Sequence, residues 1–142
     1  MTGRDRRHAP CGGILFASLQ ALGSRSIKDR RRVVRSLLDR IRRRWNVSAS
    51  DLGPDGSWSR IDLAVSAVAP EIFMVEERLQ AVLSFLFNEE RTGEFSIIYN
   101  WHEVARYDDV SYAENKQTSS ERGLHITEPS HKERDSEEGD YY

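Results

Sequence analysis

Four stretches of the sequence combine apolar and polar residues with the two-residue period of a β-strand that buries one face. They cover residues 14–22, 47–52, 61–69 and 95–107. A Gly-Pro-Asp-Gly-Ser turn signal at 53–57 separates the second and third stretches. We therefore expect those two strands to form a hairpin.

Two longer stretches carry apolar residues at the three- and four-residue spacing of an amphipathic helix. The first is predicted over residues 27–45, where Ser26 suits the N-cap and Asp29 stands at the third helical position, close to a capping box. The second begins after Pro70-Glu71, which suits a first helical turn, and ends near Thr92-Gly93. The predicted buried stripes are Ile27, Val34, Leu37, Leu38, Ile41 and Trp45 in the first helix and Ile72, Val75, Leu79, Val82, Leu83 and Leu86 in the second.

The predicted order is β-α-β-β-α-β, which indicates the split-βαβ arrangement of an α+β domain. There, one antiparallel four-stranded sheet carries two helices on one face and leaves its other face open. Residues 1–12 are interpreted as a flexible leader, 13–107 as the domain and 108–142 as a disordered acidic tail. The tail lacks any apolar period, so it could not bury enough surface to offset the entropy of ordering it.

Three aromatic residues, Phe16, Tyr99 and Trp101, could share one face of the predicted sheet. By the two-residue period, Ile14 is in phase with Phe16 on the first strand, and Ile97 is in phase with Tyr99 and Trp101 on the last strand. Because apolar neighbours are in phase with the aromatic residues, we expect them in the helix-covered core and not on an exposed stacking platform.

The formal net charge of −2 conceals two oppositely charged halves. Residues 1–60 carry 14 Lys and Arg against 5 Asp and Glu, whereas residues 61–142 carry 7 against 18. Nine cations and only two acids, Asp29 and Asp39, fall within residues 26–45, so that the first helix has a net charge of +7. So large a local excess favours a surface that meets a phosphate-bearing partner.

Six cations of this helix are candidates for contacts with nucleic-acid phosphates. Four lie near one side of the helix by their spacing and two flank it; in chain order they are Lys28, Arg31, Arg32, Arg35, Arg42 and Arg43. Arginine predominates among them, and its planar guanidinium binds phosphate oxygens in a bidentate manner. The alternative interpretation is a solvated helix face with short-range pairs such as Arg35–Asp39.

No motif in the sequence supports catalysis, a metal site or a cofactor. Cys11 is the only cysteine, which excludes a Cys-x-x-Cys site, and the four histidines show no ligand spacing. Gly23-Ser24-Arg25 resembles a phosphate-binding loop only faintly and is interpreted as an ordinary turn. The aromatic signature of an RNA-recognition motif is missing from the third strand. We therefore expect a protein that is not an enzyme and has no cofactor.

The sequence also argues against a membrane location. Ser18 and Gln20 interrupt the apolar stretch that follows the basic leader, as they would in a half-buried strand and not in a secretory signal. No stretch approaches the ~20 apolar residues of a membrane-spanning helix. We expect a cytoplasmic protein with no membrane partner, which a single cysteine also fits.

The start of the first helix, Ser26-Ile27-Lys28-Asp29-Arg30-Arg31, resembles that of the YlxP-like family of small bacterial proteins. The resemblance continues through residues 35–40 and 45–48 to Ala64-Val65, and covers roughly residues 14–107. It departs at Ile27, where the family usually has Leu, at Trp45, where Phe or Tyr is usual, and in the additional leader and tail. The resemblance implies a ferredoxin-like fold and a bacterial cytoplasmic protein without an established activity or catalytic residues. It also implies a gene neighbourhood rich in translation and ribosome-maturation genes.

Two hypotheses about function follow. The first is a non-catalytic protein that binds ribosomal RNA or a ribosomal subunit through its basic first helix. The second is an interaction module that forms a homodimer through the open sheet face, without nucleic acid. Because residues 103–142 carry a net charge of −6, this segment could also cover the basic helix and compete with RNA. The alternative for that segment is a solubilising tail.

Overall fold

The computed structural model describes residues 9–108. Residues 1–8 of the expected leader and 109–142 of the expected tail lie outside that range. The predicted order of elements is confirmed. The elements are β1 (Cys11–Ala21), α1 (Ile27–Arg44), β2 (Ser48–Gly53), β3 (Arg60–Ala69), α2 (Ile72–Glu90) and β4 (Phe95–Arg106).

The four strands form one antiparallel sheet in the order β2-β3-β1-β4. Strands β1 and β3 are central. Helix α1 connects β1 to β2, and α2 connects β3 to β4, so each helix joins two strands that have one other strand between them in the sheet. Both helices contribute to one hydrophobic core on a single face of the sheet. This is the expected ferredoxin-like α+β sandwich, and its second sheet face is open.

The core lies where alternate strand residues meet the apolar stripes of the two helices. On β1, Leu15 and Leu19 point to the helices, and on β3, Ile61 and Leu63 do the same; each is at most 1% exposed. The helical residues of the core are Val33, Val34, Leu37, Leu38 and Ile41 from α1 and Val75, Leu79, Val82, Leu83, Phe85 and Leu86 from α2. The core therefore fixes which side of α1 faces solvent.

The predicted start of α1 is confirmed in atomic detail. The hydroxyl of Ser26 accepts a hydrogen bond from the backbone N–H of Asp29 at 3.1 Å. The Asp29 carboxylate accepts one in turn from the backbone N–H of Arg25 at 3.0 Å, so both groups satisfy free N–H donors at the helix start. Trp45 is the C-cap and packs edge-on against Phe85 of α2, with ring centroids 5.6 Å apart.

Strand β1 begins at Cys11, within the segment that the sequence analysis assigned to the leader. Cys11 is fully buried and Ala9 is 8% exposed. The backbone N–H of Tyr107 donates to the carbonyl of Pro10 at 2.8 Å, which ties the two ends of the domain together. Residues 9–12 therefore belong to the fold.

The expected position of the aromatic residues is wrong, because β4 contains a bulge. Ser18 pairs with Tyr99, but the next residue of β1, Leu19, pairs with Ile97. Because of the additional residue, side chains that an unbroken two-residue period would place on one face of β4 lie on opposite faces before and after the bulge. Phe95 therefore enters the core at 2% exposure, whereas Tyr99 lies on the open face at 57% exposure.

No helix within residues 9–108 is long and apolar enough to cross a membrane.

Candidate nucleic-acid interface

Four of the six predicted phosphate-binding residues lie together on the solvent side of α1. Lys28, Arg31, Arg32 and Arg35 line one open groove, whose other residues are Ile27, Asp29, Ser36 and Asp39. This side is opposite the buried stripe of α1, because helical neighbours three and four residues apart share a face. The packing of α1 on the sheet thus presents a continuous basic surface over two helical turns.

Most of these cations have no anionic partner among residues 9–108. Arg32 lies 3.8 Å from Asp29, and its side chain is 69% exposed, so this pair is weak. Lys28, Arg31 and Arg35 form no ion pair with any residue of the range 9–108. The pair Arg35–Asp39, which the alternative interpretation invoked, is not formed. The groove therefore presents cations that are available to an external anion.

Arg42 lies away from this groove. Its Nη2 atom donates to the backbone carbonyl oxygen of Ala49 on strand β2 at 2.6 Å. Helical spacing alone put Arg42 on the side of Lys28 and Arg35, but its long side chain reaches the edge strand of the sheet instead. Arg42 therefore connects α1 to β2.

We expect the substitution Arg42→Gln to lower the free energy of unfolding by about 1 kcal/mol, because one hydrogen bond to a charged donor is lost at a largely exposed site. Urea denaturation measures this loss. Arg35→Gln is the matched control on the same helix and should change stability by no more than about 0.5 kcal/mol. Equal stabilities of the two variants would contradict a structural role for Arg42.

Arg43 lies in a second crevice, between the two helices. This crevice also contains Arg40 and Arg44, both of which contact other side chains of the protein. Arg40 forms an ion pair with Glu89 of α2 at 2.9 Å, and the Arg44 guanidinium lies 4.7 Å from the centre of the Trp45 ring. Arg40 thus connects the two helices, Arg44 contacts the neighbouring Trp45, and Arg43 is separate from the four-residue groove.

Arg30 is a buried residue that stabilises the fold, and the sequence analysis did not identify it. It is 6% exposed, and its guanidinium binds both carboxylate oxygens of Asp51 at 2.9 and 3.1 Å. Its Nε atom donates to the Arg60 carbonyl oxygen at 2.7 Å. The signal was present in the spacing, because Arg30 precedes Val33 and Val34 by three and four residues and so falls on the buried stripe.

The positive charge of the helical layer is confined to α1. The second helix carries Glu76, Glu77, Glu89 and Glu90 but only one cation, Arg78. The Arg78 side chain donates to the carbonyl oxygens of Asn46 and Val68, so it connects α2 to the segment between α1 and β2 and to strand β3. A polyanion would therefore meet attraction on the α1 side and repulsion on the α2 side.

The open face of the sheet carries an aromatic cluster. The rings of Phe16 and Trp101 are stacked with centroids 5.8 Å apart, and Tyr99 meets Phe16 edge-on at 6.2 Å. Trp101 is 41% exposed and Ile14, beside Phe16 on β1, is 47% exposed. This cluster has no covering element within residues 9–108.

The described part of the chain contains no group of three or more side chains that could hold a metal ion. Cys11 is buried, and its thiol lies 3.6 Å from the Pro70 carbonyl oxygen.

Two comparisons place the chain among known sequences. Residues 13–98 match the model of a family described as "Protein of unknown function (DUF503)". The Bacillus subtilis (strain 168) protein called "Uncharacterized protein YlxP" is 34% identical over 61 residues, which are 43% of this chain and 66% of that relative. The match thus spans just under two thirds of the relative's length.

Proposed function

Because the chain belongs to the DUF503 family, whose description assigns no activity, we propose its function from the site itself: it binds RNA, ribosomal RNA in particular, through the solvent face of α1. The YlxP-like resemblance of the sequence is confirmed by the same matches. The observation that carries the proposal is the groove of Lys28, Arg31, Arg32 and Arg35, three of which have no ion pair within residues 9–108.

The geometry of the groove suits a phosphate backbone. The four cations fall within eight consecutive residues, and the seven steps of 1.5 Å between the first and the last correspond to about 11 Å along the helix axis. Three of them are arginines, whose guanidinium groups can each hold two phosphate oxygens. Each phosphate they neutralise releases condensed counterions, which is the main source of affinity for a surface that reads no bases. Recognition of RNA by shape and phosphate spacing, not by sequence, is the expected mode.

The open face of the sheet is a poorer surface for RNA than α1. Its cation Arg60 already donates to the hydroxyl of Ser18 and to the carboxylate of Asp62, at 2.9 and 3.1 Å. Glu103, at the other end of the face, adds a negative charge. Stacking of bases on aromatic residues usually accompanies a positively charged groove, which this face lacks.

We expect log affinity for RNA to fall with log salt concentration at a slope of about −3 to −4, as four phosphate contacts require. The double substitution Arg31→Gln and Arg35→Gln should bring the slope to about half that value, since two of the four contacts are lost. Filter binding to ribosomal RNA at several salt concentrations measures the slope, and co-sedimentation with ribosomal subunits at low and high salt tests the partner.

The matched control is the double substitution Arg43→Gln and Arg91→Gln. It removes the same charge from two exposed side chains that lie outside the groove and form no ion pair within residues 9–108. This control should leave the slope near its original value. If both double variants weaken binding equally, the affinity depends on net charge alone and the groove is not the site.

A further inference from the structure

The open face of the sheet has two halves of different height. The higher half, called the ridge, consists of Ile14 and Phe16 on β1 and Tyr99 and Trp101 on β4. The lower half, called the trough, consists of Ala64 and Ser66 on β3 and their partners Ser50 and Ser48 on β2. Large side chains thus fill one half of the face, and small side chains fill the other.

We propose that this face binds a second copy of the same chain, with the ridge of each copy in the trough of the other. Such an interface requires a two-fold axis that lies parallel to the strands and passes between β1 and β3. The axis places β1 of one copy over β3 of the other and β4 over β2, and it keeps each residue at the same height along the strands. The interface is then isologous, since each surface meets an identical one.

The strand register identifies the facing residues. Each residue of β1 lies over the β3 residue with which it pairs in its own sheet, so Phe16 of one copy lies over Ala64 of the second copy. In the same row, the Trp101 ring of β4 lies over Ser50, the β2 partner of Ala64. The large rings of the ridge therefore meet small side chains of the trough.

The size of the face fits such an interface. Four strands about 4.8 Å apart and some eight residues of about 3.3 Å each give a flat area of roughly 500 Å². Because the side chains of the ridge protrude from the sheet, the contact area is larger than this flat area and approaches the ~600 Å² per partner at which specific interfaces begin. The exposed apolar side chains Ile14, Tyr99, Trp101 and Val68 supply the surface whose burial drives association.

The charge of the face also favours a second copy over a polyanion. Arg60 is bonded to Asp62 and Ser18 of its own chain, and Glu103 faces the Ser48 hydroxyl of the second copy. The interface therefore brings no like charges together at these positions. Because the helices cover the opposite face, α1 of each copy remains on the outside of the dimer. The dimer is thus independent of RNA binding through α1.

Sedimentation equilibrium of the full-length chain tests the proposal. We expect a dimer whose dissociation constant changes little with salt, because the contacts are mainly apolar. Ala64→Phe fills the trough and Trp101→Ser lowers the ridge, and each should weaken the dimer at least about tenfold. Trp58→Ser is the control: Trp58 is 55% exposed in the β2–β3 connection, away from the face, and its loss should leave the dimer intact.

Two outcomes would overturn the proposal. A wild-type chain that remains monomeric at all working concentrations excludes the dimer. A dimer whose dissociation constant is unchanged by both Ala64→Phe and Trp101→Ser excludes this face as its interface. If the wild type is monomeric and Trp101→Ser instead weakens binding of single-stranded RNA, the ridge stacks bases and the second copy is the wrong occupant. None of these results depends on Arg31 or Arg35. The dimer can therefore be excluded while RNA binding through α1 is retained, and RNA binding can be excluded while the dimer is retained.

Discussion

Replacing Arg30 by alanine is expected to lower the free energy of unfolding by about 3 kcal/mol, because it breaks a buried ion pair. The Arg30 side chain is 7% exposed, and that of its partner Asp51 is 28% exposed. Its guanidinium makes two hydrogen bonds to Asp51 and one to the Arg60 carbonyl oxygen, and so ties α1 to both β2 and β3. The remaining solvent access of Asp51 places the loss at the lower end for buried pairs.

Equilibrium urea unfolding of Arg30→Ala and Arg31→Ala measures this effect with a control at the next residue. Arg31 lies on the exposed side of α1 without an ion pair in the range 9–108, so its loss should change stability by no more than about 0.5 kcal/mol. The double variant Arg30→Ala and Asp51→Ala should be less destabilised than the sum of the single variants, since both charges are then removed. A loss below about 1 kcal/mol for Arg30→Ala would refute the structural role of this pair.

Replacing Gly13 by alanine is expected to lower the free energy of unfolding by about 2 kcal/mol, since strand β1 has no room for a methyl group at this position. A Cβ atom there would lie 2.9 Å from the Glu103 carbonyl oxygen, from a methyl group of Val104 and from a methyl group of Val75. Val75 belongs to α2 and is fully buried. A side chain on Gly13 would therefore push α2 and β4 away from β1.

The neighbouring substitution Gly12→Ala is the matched control. A Cβ atom at Gly12 would meet only ordinary contacts of 3.6–3.7 Å, with Ala67, Val68 and Tyr107. We expect this variant to be neutral or more stable by about 0.5 kcal/mol, because alanine restricts the unfolded chain more than glycine does. In thermal melts, Gly13→Ala should thus lower the melting temperature, and Gly12→Ala should leave it unchanged or raise it. Equal shifts would mean that α2 does not approach β1 as closely as the structure shows.

The two proposed surfaces divide the molecule between its two faces. The helical face carries the cations of α1, and the sheet face carries the ridge and trough. A variant at one surface should leave the other unchanged, so the salt dependence of RNA binding and the dimer constant can be measured separately. A protein with both properties would join two RNA segments through one dimer.

The sequence by itself determined the elements, because their signals are local. Ser26 and Asp29 cap α1 through bonds between residues three apart, and the helical and strand periods depend only on which side chains must be buried together. The element order then left few ways to assemble the sheet. The residues at the start of α1 also sufficed for the family, which the match over residues 13–98 bears out.

The tertiary structure alone decided which charges and which aromatic residues are available. The bulge in β4 turned Tyr99 and Trp101 outward, and a pattern with an unbroken two-residue period cannot register one inserted residue. Spacing along α1 did not separate Arg35, which lines the groove and has no ion pair within residues 9–108, from Arg42, which bonds to β2. These differences arise because a long side chain binds a carbonyl, a carboxylate or a ring that is distant in sequence, and only the folded chain places such a partner next to it.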